Sequence, residues 1–139
     1  MVHLTGGHHR LLRCHRASLP DCPTLEVSRV IDGDTFDSPA GRVRLSGVDT
    51  PERGQRCSKE ATDRLRQLAG TTVRVEAGPR ETDRYGRLLY YVYTESGASI
   101  DAALVRDGLA RAWTRDGQHR DKLVQIERDA QGSRTGCIW

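Results

Sequence analysis

The chain has 139 residues, of which 36% are hydrophobic and 29% are charged, and its formal net charge is +3. This length allows one domain with a buried core, and no apolar run approaches the length of a transmembrane helix. Residues 24–139 carry 19 Lys and Arg against 18 Asp and Glu, so nucleic-acid binding requires local basic clusters rather than a general positive field.

Residues 1–23 are predicted to form an irregular N-terminal extension, followed by a single domain over residues 24–139. The extension holds four of the five histidines and two of the four cysteines, but their spacing matches no tetrahedral zinc pattern. It also lacks the apolar core of a signal peptide. A disordered or disulfide-clipped tail therefore explains the extension better than a metal site or a redox site does.

Alternating apolar residues predict five strands in the domain. Tight turns rich in Gly, Pro and Asp join the first three strands, and a helix separates the third strand from the fourth. The predicted strands cover residues 25–31, 35–38, 42–48, 71–77 and 88–94.

Three segments have the apolar periodicity of amphipathic helices, at residues 58–70, 100–108 and 119–132. Ser58 and Ser99 are suited to cap the first two helices, since a serine hydroxyl can accept an N-terminal backbone hydrogen bond. Three strands, a helix, two strands and two helices make an α+β order. This order predicts a five-stranded OB-type β-barrel with three α-helices.

Four polar stretches interrupt the strands: DGDT at 32–35, RVRL at 42–45, VDTPE at 48–52 and DRYGR at 83–87. Taken singly, each is compatible with an ordinary structural role, as a turn, a solvent-facing strand, a stiffened loop or a hairpin. Taken together, they contain the groups that a phosphoryl-transfer site needs.

Asp34 and Asp49 supply hard oxygen ligands of the kind that Ca²⁺ prefers, each near a strand end in the same predicted sheet. Arg44 and Arg87 are planar forks suited to a phosphodiester. Glu52 lies three residues after Asp49, where it could hold a water molecule. The residues therefore indicate metal-assisted phosphodiester hydrolysis with a glutamate base and arginine charge stabilisers.

The sequence resembles the staphylococcal-nuclease-like (thermonuclease) family over about residues 25–139. The resemblance is carried by VIDGDTF, VRLSGVDTPE, TDRYGRLLYYVY, ALVRDGLA and the final CIW, which occur in the family's order. It implies an OB barrel with three helices, in agreement with the pattern above. It also implies a monomeric Ca²⁺-dependent nuclease, without membrane association. Such an enzyme cleaves DNA and RNA with low sequence specificity, prefers single strands and leaves 3′-phosphates.

The resemblance also implies roles for individual residues. Arg84 and Tyr85 match positions that contact a terminal phosphate. The calcium ligands are expected to be Asp34, Asp49 and the carbonyl of Thr50, with Glu52 as general base and Arg44 and Arg87 as the catalytic arginines.

Two features depart from the family pattern. The loop RGQRCSKEA after Glu52 is shorter than expected, which affects a region beside the substrate groove. Trp113, followed by Thr114 where a tyrosine is expected, has two interpretations: it stacks on a nucleotide base, or it is a core residue. Arg53, Arg56 and Lys59 also have two interpretations. They contact phosphates of the substrate, or they belong to a charged face that is exposed to solvent.

We hypothesise that Cys57 pairs with Cys137 and Cys14 with Cys22. Two disulfides would indicate a secreted or periplasmic protein, with the cytoplasm as the alternative because no signal peptide is visible in the sequence.

The alternative function is a catalytically inactive OB module that binds nucleic acid or a protein ligand. Such a module would be expected to have lost an arginine or a metal-binding carboxylate. All of the predicted catalytic residues are present here, which favours the enzyme.

Overall fold

The computed structural model describes residues 22–139. The extension predicted for residues 1–23 lies almost wholly outside them, as does Cys14 of the predicted Cys14–Cys22 pair, so both stay predictions. Within the described residues the strands are β1 Thr24–Glu26, β2 Arg29–Asp32, β3 Thr35–Ser38, β4 Gly41–Leu45, β5 Val48–Asp49, β6 Thr72–Thr82, β7 Leu88–Thr94 and β8 Arg111–Ala112. The helices are α1 Ser58–Ala69, α2 Ile100–Arg106 and α3 Arg120–Gly132.

Six strands form one sheet in the order β1-β6-β7-β4-β3-β2, in which only the β4–β7 pair is parallel. The two edge strands are consecutive in the chain. Between them, the backbone N–H of Val27 donates to Thr71 O at 2.9 Å and that of Ser28 donates to Asp37 O at 2.8 Å. Residues 24–32 thus pair with β6 at their start and with β3 at their end. Because this one segment connects the two edges of the sheet, the sheet is curled. The predicted α+β fold of the OB type with three helices is confirmed, and the first predicted strand is bent into β1 and β2.

Two further strand boundaries differ from the prediction. The predicted strand 42–48 ends at Leu45, and Val48–Asp49 instead pair with β8, which is too short to show a period in the sequence. Strand β6 continues to Thr82, through residues that the sequence pattern assigns to a charged loop. Its pairing with β7 is irregular around Pro79, which lacks a backbone donor, and resumes at Thr82.

The helix caps agree with the prediction at α2 and differ at α1. The Ser99 hydroxyl accepts the backbone N–H of Ala102 at 2.9 Å and caps α2 as predicted. At α1 the predicted cap is wrong by one residue, since Cys57 is the N-cap and Ser58 is the first helical residue. The N–H of Ser58 donates to Gln55 O at 3.1 Å, so Ser58 already belongs to the hydrogen-bonded turn that begins the helix.

No helix within residues 22–139 is both long and apolar enough to cross a membrane.

The core lies between the curled sheet and the helices. Helix α2 packs against β7, α1 and α3, and α1 packs against β2. Because each helix presents one apolar face, burial of these faces removes most of the large aliphatic side chains from water. Fully buried members of the core include Phe36, Val43, Leu45, Val48, Leu65, Val92, Leu104 and Val105.

A buried carboxylate connects three elements beside the site. Asp101, in the first turn of α2, is 1% exposed, and its two oxygens accept the backbone N–H groups of Gly47 and Val92, each at 2.9 Å. Burial raises the pKa of Asp101 to about 6. The bond to Gly47 fixes the turn between β4 and β5, from which Asp49 follows.

The predicted disulfide between Cys57 and Cys137 is present in the structure. It connects the start of α1 with the C-terminal segment across a sequence separation of 80 residues. The backbone N–H groups of Cys137 and Ile138 also donate to Gly108 O, at 3.0 and 3.1 Å. The C-terminal segment is therefore held both covalently and by hydrogen bonds.

Candidate active site

The DGDT turn gives its two carboxylates different positions. Asp32 closes the turn, since its Oδ1 accepts the backbone N–H of Asp34 at 3.1 Å. Asp34 is 7% exposed and accepts hydrogen bonds from the Thr35 hydroxyl at 2.9 Å and the Thr50 N–H at 3.2 Å. Burial, followed by repulsion from Asp34, raises the pKa of Asp32. Asp32 shapes the turn, and Asp34 faces the strand that carries Asp49.

Arg44 brings the two predicted metal-binding carboxylates together. Its Nη2 lies 3.5 Å from Asp34 Oδ2 and 3.3 Å from Asp49 Oδ1. Its Nη1 donates to the backbone carbonyls of Leu45 and Val48. The Arg44 side chain is only 11% exposed, so its guanidinium is held in one position by four acceptors.

Asp49 and Glu52 are less constrained than Asp34. Partial desolvation raises the pKa of Asp49, against the opposing effect of Arg44, and the charges of Asp34 and Glu52 add to the rise. Glu52 is exposed on the loop after β5, where its backbone N–H donates to Gln55 Oε1 at 2.7 Å. Within residues 22–139 the Glu52 carboxylate has no hydrogen bond or ion pair, so the structure does not bring it into direct contact with Arg44.

Arg87 is positioned by the hairpin between β6 and β7. Its Nε donates to Asp83 Oδ2 at 2.7 Å, and its backbone N–H donates to Asp83 Oδ1 at 3.0 Å. Desolvation opposes ionisation of Asp83, but these bonds and one from the Tyr85 N–H outweigh it and lower the pKa of Asp83. Arg87 Nη1 also lies 3.5 Å from Thr35 Oγ1, which itself bonds to Asp34. Arg44 therefore contacts the Asp34 carboxylate directly, and Arg87 is connected to it through the Thr35 hydroxyl.

Arg84 and Tyr85 stand at the tip of the same hairpin. Arg84 Nη2 donates to the Tyr85 hydroxyl oxygen at 2.7 Å, and Tyr85 is 67% exposed. The guanidinium carbons of Arg84 and Arg87 lie 4.9 and 5.4 Å from the Tyr85 ring centroid. The exposed Tyr85 ring is therefore flanked by two positively charged guanidinium groups.

A groove of about 440 Å³ lies between this hairpin and the segment after β8. We call it the arginine groove. Five arginines line it against a single acid, Asp83, which supplies the local basic cluster that the composition required. The arginines are Arg44, Arg80, Arg84, Arg87 and Arg115.

Trp113 lines the arginine groove and is only partly buried. Its indole N–H donates to Asp116 Oδ1 at 2.9 Å. The guanidinium carbons of Arg44, Arg80 and Arg115 lie 5.5, 5.6 and 5.2 Å from its ring centroid. Among residues 22–139, Trp113 is thus not part of the apolar core.

Sequence reasoning missed Arg80 and Arg115 as groove residues. Arg80 lies in the part of β6 that the sequence pattern assigns to a loop. Arg115 follows Trp113 by two positions, a spacing that places side chains on one side of an extended chain and so could have indicated it.

The basic residues near α1 do not line the arginine groove. Arg56 donates to the carbonyl of Cys137 at 2.9 Å, and Lys59 pairs with Asp63 at 2.6 Å. Arg53 donates to Ile31 O at 3.4 Å and does not line the arginine groove. Arg56 lines a separate cleft together with Asp49 and Thr50. The phosphate contacts hypothesised for Arg53, Arg56 and Lys59 would thus lie outside the arginine groove, and they stay predictions.

Within residues 22–139, no group of three or more Asp, Glu, His or Cys side chains is arranged to hold a metal ion. The described residues offer two carboxylates, Asp34 and Asp49, that approach one nitrogen of Arg44, and the backbone carbonyl of the neighbouring Thr50. Ca²⁺ takes about six to eight oxygen ligands and accepts carbonyls and waters among them. This donor set therefore fits Ca²⁺ chemically as a partial shell.

The OB-type fold with three helices is that of the staphylococcal-nuclease-like class. Residues 42–139 match the model of the family described as "Staphylococcal nuclease homologue". The chain belongs to this family.

Relatives of the chain include several proteins named as nucleases. A micrococcal nuclease of Shigella flexneri is 35% identical over 127 residues, which cover 82% of this chain and 72% of the relative. A thermonuclease of Staphylococcus hyicus is 37% identical over 121 residues, covering 78% and 71%. An uncharacterized endonuclease of Escherichia coli O157:H7 is 35% identical over 118 residues, covering 81% and 74%.

Proposed function

We propose that the protein is a monomeric Ca²⁺-dependent nuclease. It hydrolyses phosphodiester bonds of DNA and RNA with low sequence specificity, prefers single strands and leaves 3′-phosphates. The observation that carries the proposal is the contact of one Arg44 nitrogen with both Asp34 and Asp49, beside a groove lined by five arginines. The names of the relatives support the same reaction class.

The two central arginines would stabilise the charge that develops during hydrolysis. Attack of water on a phosphodiester adds negative charge to the phosphoryl oxygens in the transition state. The guanidinium groups of Arg44 and Arg87 are already fixed by Asp34, Asp49 and Asp83, so little reorganisation is needed when that charge appears. An interaction that strengthens in the transition state is what accelerates a reaction.

Glu52 is proposed as the general base. It lies three residues after Asp49 on an exposed loop, and its carboxylate has no hydrogen bond or ion pair within the described residues. A free carboxylate is able to accept a proton from a water molecule at its side. The hydrogen bond from its backbone N–H to Gln55 holds the loop while the side chain stays available.

Asp34, Asp49 and the carbonyl of Thr50 would hold the Ca²⁺ ion. When bound, Ca²⁺ supplies positive charge beside the phosphodiester. The protein's own contribution is to fix the Asp34 carboxylate, which accepts hydrogen bonds from the Thr50 N–H and the Thr35 hydroxyl. At the hairpin tip, Arg84 and Tyr85 present a guanidinium and a hydroxyl 2.7 Å apart, and we assign them to a terminal phosphate of the substrate.

The test is hydrolysis of heat-denatured DNA and of RNA by the wild type, with Ca²⁺ and with a chelator. We expect activity that requires Ca²⁺ and that falls by about 10²-fold or more in Glu52→Gln, because a general base typically contributes about 10²–10⁴-fold. The matched control is Glu60→Gln, which removes the same charge from an exposed position in the first turn of α1.

The alternative, an inactive OB module, gives a different result. Folded wild type supplied with Ca²⁺ would bind labelled single-stranded DNA in a fluorescence anisotropy titration and release no acid-soluble nucleotides. Equal activity with Ca²⁺ and with chelator would instead contradict the metal requirement while leaving the nuclease assignment in place.

A further inference from the structure

The Trp113 ring is held rigidly at one wall of the arginine groove. The backbone N–H of Trp113 donates to Gly47 O at 2.9 Å, and the indole N–H donates to Asp116. Asp116 is fixed in turn by Arg80, whose Nε donates to Asp116 Oδ2 at 2.8 Å. A ring restrained at both its backbone and its edge provides a stable surface for neighbouring guanidinium groups.

Arg115 differs from the other two arginines around this ring. Arg44 is engaged by carboxylates and carbonyls, and Arg80 is engaged by Asp116. Arg115 has the shortest distance to the Trp113 ring centroid, 5.2 Å, yet it has no hydrogen bond or ion pair within residues 22–139. It is exposed, and it lines the groove. Its donors are therefore available to an anion in the groove.

We propose that Arg115, held against the Trp113 ring, binds the phosphate of a nucleic-acid strand adjacent to the phosphate that Arg44 contacts. Apart from the terminal-phosphate contacts assigned to Arg84 and Tyr85, the groove would thus have a second subsite for an internal phosphate. Its preferred ligand would be a single strand with at least two consecutive phosphodiesters. Trp113 acts as a positioning residue in this subsite, because the guanidinium groups of three arginines lie against its ring. The proposal rests on the proposed function, since it needs a nucleic-acid strand in the groove.

The test compares a short strand with a longer one. Anisotropy titrations in chelator use a labelled thymidine dinucleotide, with one phosphodiester, and a labelled thymidine hexanucleotide. Arg115→Gln is expected to weaken hexanucleotide binding by about tenfold and leave dinucleotide binding unchanged, because only the longer strand reaches the second subsite. The slope of the logarithm of the binding constant against the logarithm of salt concentration should become shallower by about 0.7, as expected for one lost contact to a single strand.

The control is Arg128→Gln, which makes the same charge change at an exposed position of α3 that has no hydrogen bond or ion pair among residues 22–139. Equal losses for the two oligonucleotides in Arg115→Gln, or a hexanucleotide loss no larger than in Arg128→Gln, would overturn the second subsite. So would a wild type that binds the two oligonucleotides equally. Hydrolysis with Ca²⁺ is measured separately, so an inactive wild type that still shows the length effect would contradict only the proposed reaction.

Trp113 variants test the positioning role. Trp113→Leu should reproduce the hexanucleotide loss and the shallower salt slope of Arg115→Gln, and the double variant should lose little more, since both changes remove one contact. Trp113→Phe keeps an aromatic face and should retain most of the affinity. A Trp113→Leu protein that is folded and has an unchanged salt slope would contradict the positioning role.

Discussion

Arg44 shows how a single side chain can organise a site. One of its terminal nitrogens lies between Asp34 and Asp49, while the other is bound to two backbone carbonyls. This arrangement uses the planar fork of a guanidinium, since four acceptors around two nitrogens require a rigid group with several donors. A lysine ammonium has the same charge but only one nitrogen.

Arg44→Lys is therefore expected to lower kcat on single-stranded DNA by about 10²–10³-fold, the typical cost of removing one positioned donor. The measurement is initial rate against substrate concentration at saturating Ca²⁺. Arg42→Lys is the matched control, because Arg42 lies on the same strand but pairs with Asp37 at an exposed position. A kcat for Arg44→Lys within about tenfold of wild type would show that charge alone suffices.

Asp101 gives the folded protein a specific pH dependence. Its pKa is about 6 in the folded protein and 3.8 ordinarily, so between pH 4 and pH 6 the folded protein retains a proton that the unfolded chain has released. The stabilisation from this group therefore falls as the pH rises through that window. A shift of about two pKa units, at about 1.4 kcal/mol each, corresponds to a change on the order of 3 kcal/mol.

The free energy of unfolding of Asp101→Asn, relative to wild type, should therefore be lowest near pH 4 and rise by on the order of 3 kcal/mol towards pH 7.5. Urea titrations at several pH values measure this difference. The control is Asp121→Asn, at a side chain that is 93% exposed, for which we expect a flat difference. A flat difference for Asp101→Asn as well would contradict the raised pKa.

The residues in and beside the candidate site differ in how well the local sequence predicts their role. Asp34, Arg44, Asp49 and Arg87 could be chosen as candidates from the sequence because each stands in a short motif with its own chemical character, and their roles stay predictions. Asp101 could not, because it occupies the first helical turn, where an acid is ordinary. Its burial depends on Gly47, 54 positions earlier.

Gly47 is the point at which several elements meet. A Cβ added there would lie 2.6 Å from Leu123 Cδ1 on α3, 2.9 Å from Asp101 Oδ2 on α2 and 2.9 Å from Tyr91 Cε1 on β7. Gly47→Ala is thus expected to destabilise the protein by about 1–3 kcal/mol through overpacking. Thermal and urea unfolding measure the loss.

The control for this change is Gly132→Ala at the end of α3, where an added Cβ meets nothing within 4 Å. That variant should be unchanged or more stable by up to about 1 kcal/mol, since alanine favours a helix. Equal stability of Gly47→Ala and Gly132→Ala would mean that the elements around Gly47 shift easily to make room.

At the scale of elements, periodicity predicted the three helices and the strands with a regular alternation. It did not show that residues 25–31 change partners near Val27, because both halves alternate in the same way. Strand β8 and the end of β6 were missed for a related reason: their pairing is set by neighbours distant in sequence rather than by local pattern.

For the molecule as a whole, the Cys57–Cys137 disulfide closes a loop with a sequence separation of 80 residues. In the chain-entropy description such a loop stabilises the folded state by about 4.5 kcal/mol. The double variant Cys57→Ala and Cys137→Ala should lose about this free energy of unfolding in urea titrations. Intact mass with and without reduction tests for the bond in the wild type, and a loss below about 1 kcal/mol would show that the folded structure gains little from it.

The disulfide also supports a location for the protein. Disulfides persist in oxidising compartments, and we propose that the protein is secreted or periplasmic. Fractionation of producing cells, with antibody detection, tests this location. Recovery of the reduced protein in the cytoplasm would contradict it.

The same bond has a consequence for the order of events during biosynthesis. A ribosome makes Cys57 80 residues before it makes Cys137, a delay of roughly 4–16 s at ordinary elongation rates. During that interval the Cys57 thiol has no correct partner, while Cys22 has already been made. Production in an oxidising compartment is therefore expected to benefit from an isomerase able to undo early mispairing.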